Sequence, residues 1–120
     1  RWQTPLAHMC RTAMEDTVLG GQQIKKWDKI VMWYASGNRD DDIFEDANQF
    51  KIDRPLLPRH LSFGQGLHLC LGQRLGEMQL RVIWEEIMKR FDHVEVVGDP
   101  TYLRSSFIQG ITDLPVRLKG

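Results

Sequence analysis

The chain has 120 residues, 42% hydrophobic and 27% charged, a globular mixture rather than a disordered one. Sixteen basic residues balance sixteen acidic ones, so bulk charge points to neither nucleic acid nor an anionic membrane as partner. No apolar run reaches transmembrane length and no signal-peptide pattern is visible. The chain opens Arg1-Trp2-Gln3-Thr4-Pro5 without an initiating Met and reads as though cut from a longer protein, so targeting signals are not observable.

Cys10 comes first among the residues of interest and reads as a small buried hydrophobe. Thr12 to Ile24 alternates polar and apolar, with Gly20-Gly21 as a turn between two short strands. Lys29 to Tyr34 is β-branched and aromatic and is expected to be buried. It runs into Ala35–Arg39, long enough for one or two helical turns. No period holds from Asp40 to His60, where the Asp run at 40–42, Asp46, Asn48, Pro55 and Pro58 predict a meandering surface segment. A loop of that length in a compact domain is expected to serve a function.

Leu71 to Phe91 is the strongest helix. Leu71, Leu75, Met78 and Val82 fall on one face, and Leu80, Ile83, Trp84 and Ile87 fill another. A helix apolar round so much of its circumference is expected to be buried. Lys89 and Arg90 close it with the charge its dipole favours. His93 to Val97 alternates as a strand, Gly98-Asp99-Pro100 turns, and Leu103–Ile111 and Pro115–Leu118 read as closing strands around Gly110.

The segment Phe63 to Gly72 carries the chemistry. Gly64 and Gly66 admit backbone conformations closed to other residues and let the main chain approach a bulky flat group. Cys70 precedes the helix, so its sulfur lies near the first unpaired N–H groups of Leu71, Gly72 and Gln73, which favour a thiolate. A desolvated thiolate needs a countercharge, which a metal supplies. Zinc with His60, His68 or Cys10 is the competitor, but zinc usually shows paired ligands at short spacing, and here only His68 and Cys70 are close. A Gly-x-Gly dinucleotide site lacks its third glycine and its acidic ribose ligand. One thiolate on a glycine-flanked loop backed by a helix is how a protein holds haem from one side.

Phe63 to Gly72 resembles the cytochrome P450 haem-binding signature at its constrained positions: the Phe, the glycine, His68 at a basic position, Cys70 and Gly72. Arg1 resembles the Arg of the family's E-x-x-R motif, whose Glu would precede this chain. Phe50 to Arg54 resembles the F-x-x-x-R segment whose Arg completes a salt-bridge network with that pair. Pro5 to Arg11 is similar to the strand whose Arg meets a haem propionate. Arg1–Leu6, Lys29–Arg39, His60–Phe63 and Glu77–Leu80 are similar to the bacterial alkane-hydroxylase branch.

The resemblance implies a mainly α fold with small β-sheets (α+β), residues 1–120 being the C-terminal haem-binding part. The cysteine loop would be 63–72 and the buried helix about 71–91. Cys70 would be the axial ligand to haem b, with Phe63, Gly64, Leu71 and Gly72 around it. Arg11 and His68 would meet the propionates. Leu6, Ala7, Met9, Phe107 and Ile108 occupy the family's last two substrate-facing segments; without the resemblance each reads as core. Arg1 and Arg54 would be structural, and Arg1, lacking its Glu, would splay into solvent. Arg59, Arg74 and Arg81 would form a basic patch for an acidic ferredoxin, or simply part of a charge-balanced surface.

The implied activity is a bacterial, cytoplasmic monooxygenase, hydroxylating medium-chain alkanes at the terminal carbon with O2. Electrons would come from NAD(P)H through ferredoxin reductase and ferredoxin. Fatty acids or terpenoids are alternative substrates, and a haem-binding or electron-transfer protein without oxygenase activity is the alternative class. The oxygen-activating helix with its acid–Thr pair would lie upstream, so this chain alone is expected to be inactive. Three positions depart from the family: Trp27 at a turn glycine, Ala47 at a meander Pro, and Gly76 at a helix Ala. Trp27 would be strained if its φ is positive.

Overall fold

The computed structural model describes residues 1–56 and 59–120; the expected meander proline Pro58 lies outside the described residues. The chain forms two compact units, Arg1–Ser62 and Phe63–Gly120.

In the first unit β1 (His8–Thr12) pairs antiparallel with β4 (Lys29–Trp33), in register from His8 opposite Trp33 to Thr12 opposite Lys29. The His8 and Trp33 rings meet edge to face at 4.7 Å. Between these strands, β2 (Thr17–Leu19) and β3 (Gln22–Ile24) form the expected hairpin. Gly20 and Gly21 have φ of +55° and +80°, the sign that a tight two-residue hairpin turn of type I′ demands at both places. β4 is half-buried rather than buried: Ile30 and Met32 turn inward while Val31 and Trp33 are exposed. An alternating strand with one face to solvent gives that pattern.

Trp27 has φ +77°, so the strain foreseen for a bulky residue there is present. Hydrogen bonds hold it in place. Trp27 N–H donates to the Ala13 carbonyl (2.8 Å), Asp28 N–H to the Lys25 carbonyl (3.0 Å), and Lys26 N–H to Asp16 Oδ1 (2.8 Å).

After β4 the chain makes one helical turn, α1 (Tyr34–Gly37), then a turn-rich loop through the described part of 40–60. Phe44, Ala47, Asn38 and Thr4 are buried here, joined by Ala7 and Ala13. Ala47 N–H donates to Asp41 Oδ1 (3.1 Å), a bond that the family's usual Pro could not make.

In the second unit the long helix α2 runs Gln73–Arg90, and its Lys89 and Arg90 both pair with Glu86. Those hydrogen bonds, Lys89's first and then Arg90's, hold the Glu86 carboxyl below its ordinary pKa. The expected burial of this helix is not found: none of its residues is buried, and Leu75, Met78, Leu80, Ile83, Trp84 and Met88 are all more than half exposed. An apolar circumference reports the need for a cover, and the second unit's strands do not supply one. Gly76 sits mid-helix where an added Cβ would meet nothing within 4 Å, so no close approach requires it.

β5 (His93–Val96) pairs antiparallel with β8 (Val116–Lys119), and Glu95 bridges to Lys119 (2.6 Å) and Arg117 (3.5 Å) across that pair. The strand expected over Leu103–Ile111 is corrected. Only β6 (Thr101–Tyr102) and β7 (Ile111–Asp113) pair, and Leu103 N–H donates to the Gly110 carbonyl (2.9 Å) across the loop between them. Ser105 Oγ accepts from the N–H groups of Phe107 and Ile108 (3.1 and 3.0 Å), which turns that segment instead of extending it. The small antiparallel sheets and the long helix are those of the α+β portion expected.

Candidate functional site

The loop from Phe63 to Gly72 is built by its glycines. Gly64 is buried with φ +74° and Gly66 has φ +70°, both in the left-handed region. From Gly66 the chain turns into a single 3₁₀ turn, Gly66–His68, closed by Leu69 N–H donating to the Gly66 carbonyl (3.1 Å). Cys70 N–H then donates back to the Phe63 carbonyl at 2.8 Å, so the two ends of the loop are tied at the cysteine. Gln73 N–H donates to the Cys70 carbonyl (3.3 Å) as α2 begins. A Cβ added at Gly72 would lie 3.9 Å from Cys70 Sγ, so the main chain of Gly72 passes close to the sulfur.

Cys70 is exposed and in no disulfide. Leu67 and Leu71 beside it are fully exposed, Leu69 is exposed, and Gly66 has open space where a side chain would be. The sulfur therefore stands on an exposed loop that also carries three uncovered leucines. Those features fit a flat, apolar, metal-bearing group laid against the loop: one soft donor, main chain able to come close, and greasy side chains awaiting cover. Among the described residues no group of three or more His, Cys, Asp or Glu is placed to hold a metal ion, so Cys70 lacks the co-ligands of a tetrahedral zinc site.

Phe63, Gly64, His68, Cys70, Leu71 and Gly72 are thus brought into one loop, with His68 exposed at the end of the 3₁₀ turn. Phe107 and Ile108 belong to the same unit, exposed in the β6–β7 loop. Arg11, Leu6, Ala7 and Met9 belong to the first unit. Arg11 is half-buried on β1, its Nη1 donating to the Cys10 carbonyl (3.0 Å). Leu6 and Met9 are half-buried, while Ala7 is buried with its carbonyl accepting from Ala35 N–H (3.2 Å). Cys10 is exposed, a correction to the buried reading: it stands opposite Val31 of β4, which is exposed too, so nothing covers that cross-strand pair.

Arg1 does not splay into solvent. Its guanidinium lies over the Phe44 ring, 5.1 Å from the centroid, and Nη1 donates to the carbonyls of Asn38 and Ala47 (2.8 Å to the latter). Arg54 donates in turn to the carbonyls of Glu45, Asp46 (2.6 Å) and Gln49 (3.0 Å), and its Nε is buried with no partner among the described residues. Burial first, then the charges of Arg54 and Arg39, lower the Arg1 pKa. Main-chain carbonyls replace a carboxylate as the acceptors, which is why Arg1 stays folded in. Sequence reasoning missed Asn38 in this cluster; its one signal, Asn ahead of Arg39-Asp40, reads as an ordinary turn.

A cytochrome P450 family model matches residues 1–115. Linalool 8-monooxygenase of Pseudomonas putida is 48% identical over 118 residues, which are 98% of this chain and 29% of that protein. Steroid C26-monooxygenase of Rhodococcus jostii is 42% identical over 120 residues, covering 99% of this chain and 25% of the relative. Among solved structures, cytochrome P450-153 from Novosphingobium aromaticivorans is similar with a TM-score of 0.90 at 47% identity, covering 98% of this chain and 30% of that one. The chain spans less than a third of the length of these relatives. Among the described residues no helix is long and apolar enough to cross a membrane.

Proposed function

This chain belongs to the cytochrome P450 family, and from that premise we propose that the whole protein is a haem-thiolate monooxygenase with Cys70 as the iron ligand. The observation that carries the reading is the free, exposed Cys70 on a loop closed by its own N–H to Phe63. When bound, haem supplies activation of O2 and insertion of one oxygen atom into an unactivated C–H bond.

The chain's own residues hold and tune that group. Cys70 gives the thiolate, and the N–H groups after it temper its basicity. Gly64 and Gly66 let the main chain lie close, and with the haem bound Phe63 would shield the sulfur from water. Arg11, with a bidentate fork, and His68 take the propionates. Leu6, Ala7, Met9, Phe107 and Ile108 meet a hydrophobic substrate. Arg1 and Arg54 are scaffold, fixing the carbonyls of 38–49. NAD(P)H-derived electrons arrive through a ferredoxin reductase and ferredoxin, for which Arg59, Arg74 and Arg81 offer charge.

The substrate proposed is a medium-chain alkane, hydroxylated at its terminal carbon, in keeping with the branch that the sequence resembles. A terpenoid alcohol is the second reading, favoured by 48% identity to a linalool 8-monooxygenase. The 120 residues alone are inactive, offering one face of the haem and no roof for O2. The decisive test is the reduced carbon-monoxide difference spectrum of the complete protein. A red-shifted Soret band, lost in Cys70→Ala, is expected; an unshifted band in the unmutated protein sinks the reading. Product analysis with alkanes of increasing length and with linalool then separates the two substrates.

A further inference from the structure

A buried polar hub lies directly ahead of the cysteine loop in the chain. Asn38 follows α1 and is fully buried, the largest such side chain among the described residues. Every group it has is used. Nδ2 donates to Thr4 Oγ1 (2.9 Å) and to Ser62 Oγ (3.1 Å), and Oδ1 accepts from Leu61 N–H at 2.6 Å. Its own N–H donates to the Tyr34 carbonyl (2.9 Å), and its carbonyl accepts from Arg1.

Three further observations show how tightly this point is fixed. Thr4 has φ +42°, a region a β-branched residue avoids, and it is buried; its hydroxyl accepts from Asn38 while donating to the Arg1 carbonyl (2.7 Å). Such strain persists only where the surroundings over-determine it. Leu61 also closes on the end of α1, since a Cβ added at Gly37 would lie 2.7 Å from its Cδ1. Ser62 N–H donates to His60 Nδ1 (3.3 Å). Residues 60–62 are therefore pinned from several sides, and the next residue is Phe63, whose carbonyl receives Cys70 N–H.

We infer that Asn38 is a positioning residue for the cysteine loop. It fixes Leu61 and Ser62, and through the main chain at Phe63 it fixes the carbonyl to which Cys70 is tied. The inference rests on the haem-thiolate reading above. Only a primary amide suits the place: two donors and one acceptor in one plane meet two hydroxyls and an N–H. An Asp offers no donors, and an Ala leaves the Leu61 N–H without its acceptor and takes one bond from each hydroxyl.

The test uses the complete, haem-loaded protein and three variants. Asn38→Ala removes the hub, Ser62→Ala removes only the arm toward the loop, and Thr4→Ala removes only the arm away from it. In the reduced carbon-monoxide spectrum, Asn38→Ala is expected to raise the unshifted share of the band several-fold. Ser62→Ala moves it less in the same direction, and Thr4→Ala leaves it at the unmutated value while lowering the melting temperature. Hydrogen exchange in the peptide containing Cys70 should quicken in the first two variants only. If Asn38→Ala and Ser62→Ala lose stability but keep the unmutated band ratio and exchange rate, Asn38 is merely structural and the inference is overturned. Should Asn38→Ala fail to fold, Ser62→Ala decides alone. An unmutated protein without a shifted band, indistinguishable from Cys70→Ala, overturns the haem-thiolate reading instead, and Cys70 exchange then decides the role of Asn38 by itself.

Discussion

Arg1–Ser62 buries Thr4, Ala7, Ala13, Asn38, Phe44 and Ala47, several of them held by side-chain bonds to main-chain carbonyls, whereas Phe63–Gly120 buries Gly64 alone among its residues. Yet the second unit is the more apolar along its helix and carries the cysteine. The first unit reaches its burial with few large side chains because polar groups close on one another: Arg1 and Arg54 satisfy one loop's carbonyls between them, and Asn38 joins two hydroxyls and the Leu61 N–H. The second has the hydrophobic residues of a core without the contacts of one. Apolar composition thus measures what a segment requires from its surroundings, and polar closure measures what it supplies for itself.

That contrast can be broken by mutation. In the 120-residue chain, Phe44→Ala takes away the buried ring beneath Arg1 and should destabilise the first unit by about 4 kcal/mol in urea unfolding. Trp27→Gly relieves a left-handed backbone on an exposed turn and should raise stability by about 1 kcal/mol, read as a higher urea midpoint. Ile83→Ala, on the uncovered helix, should change the same chain by less than about 0.5 kcal/mol. A loss like that of Phe44→Ala would mean that the helix is packed after all and would erase the contrast.

The smallest effect is electrostatic. The hydrogen bond and charge of Lys51, with a lesser contribution from Arg54, hold the Asp46 carboxyl below its ordinary pKa. A lowered folded pKa means stability that is present above the ordinary carboxylate range and lost as pH falls through the folded value. Asp46→Asn should therefore lower the neutral plateau slightly and flatten the acid limb, with the stability at its acid end nearly unchanged. An acid limb of the same steepness in that variant would assign it to other carboxylates.

Local signals were readable in advance. The Gly20-Gly21 hairpin, the glycine-built cysteine loop and the basic end of α2 follow from what single residues and short spacings allow, whereas only the family resemblance raised a positive φ at Trp27. Relations across the chain were not. Asn38 meets Thr4 and Leu61 through contacts that leave no periodicity behind, and Arg1 finds carbonyls at 38, 47 and 49 where the sequence suggested only a missing Glu. The burial expected for α2 failed for a related reason: its pattern specifies an apolar stripe all round and says nothing of what covers it. Leu103–Ile111 has strand-like residues, but pairing needs a partner of matching length, and β6 offers two residues.

Ala47 carries a consequence for how this sequence can change over generations. It is fully buried, its N–H engaged by Asp41 and its carbonyl by Arg1. Pro at this point would delete the donor and force a ring into a site with no free surface. Whether Pro is acceptable there is set by what stands at position 41 and around it, so the two places can change only in company.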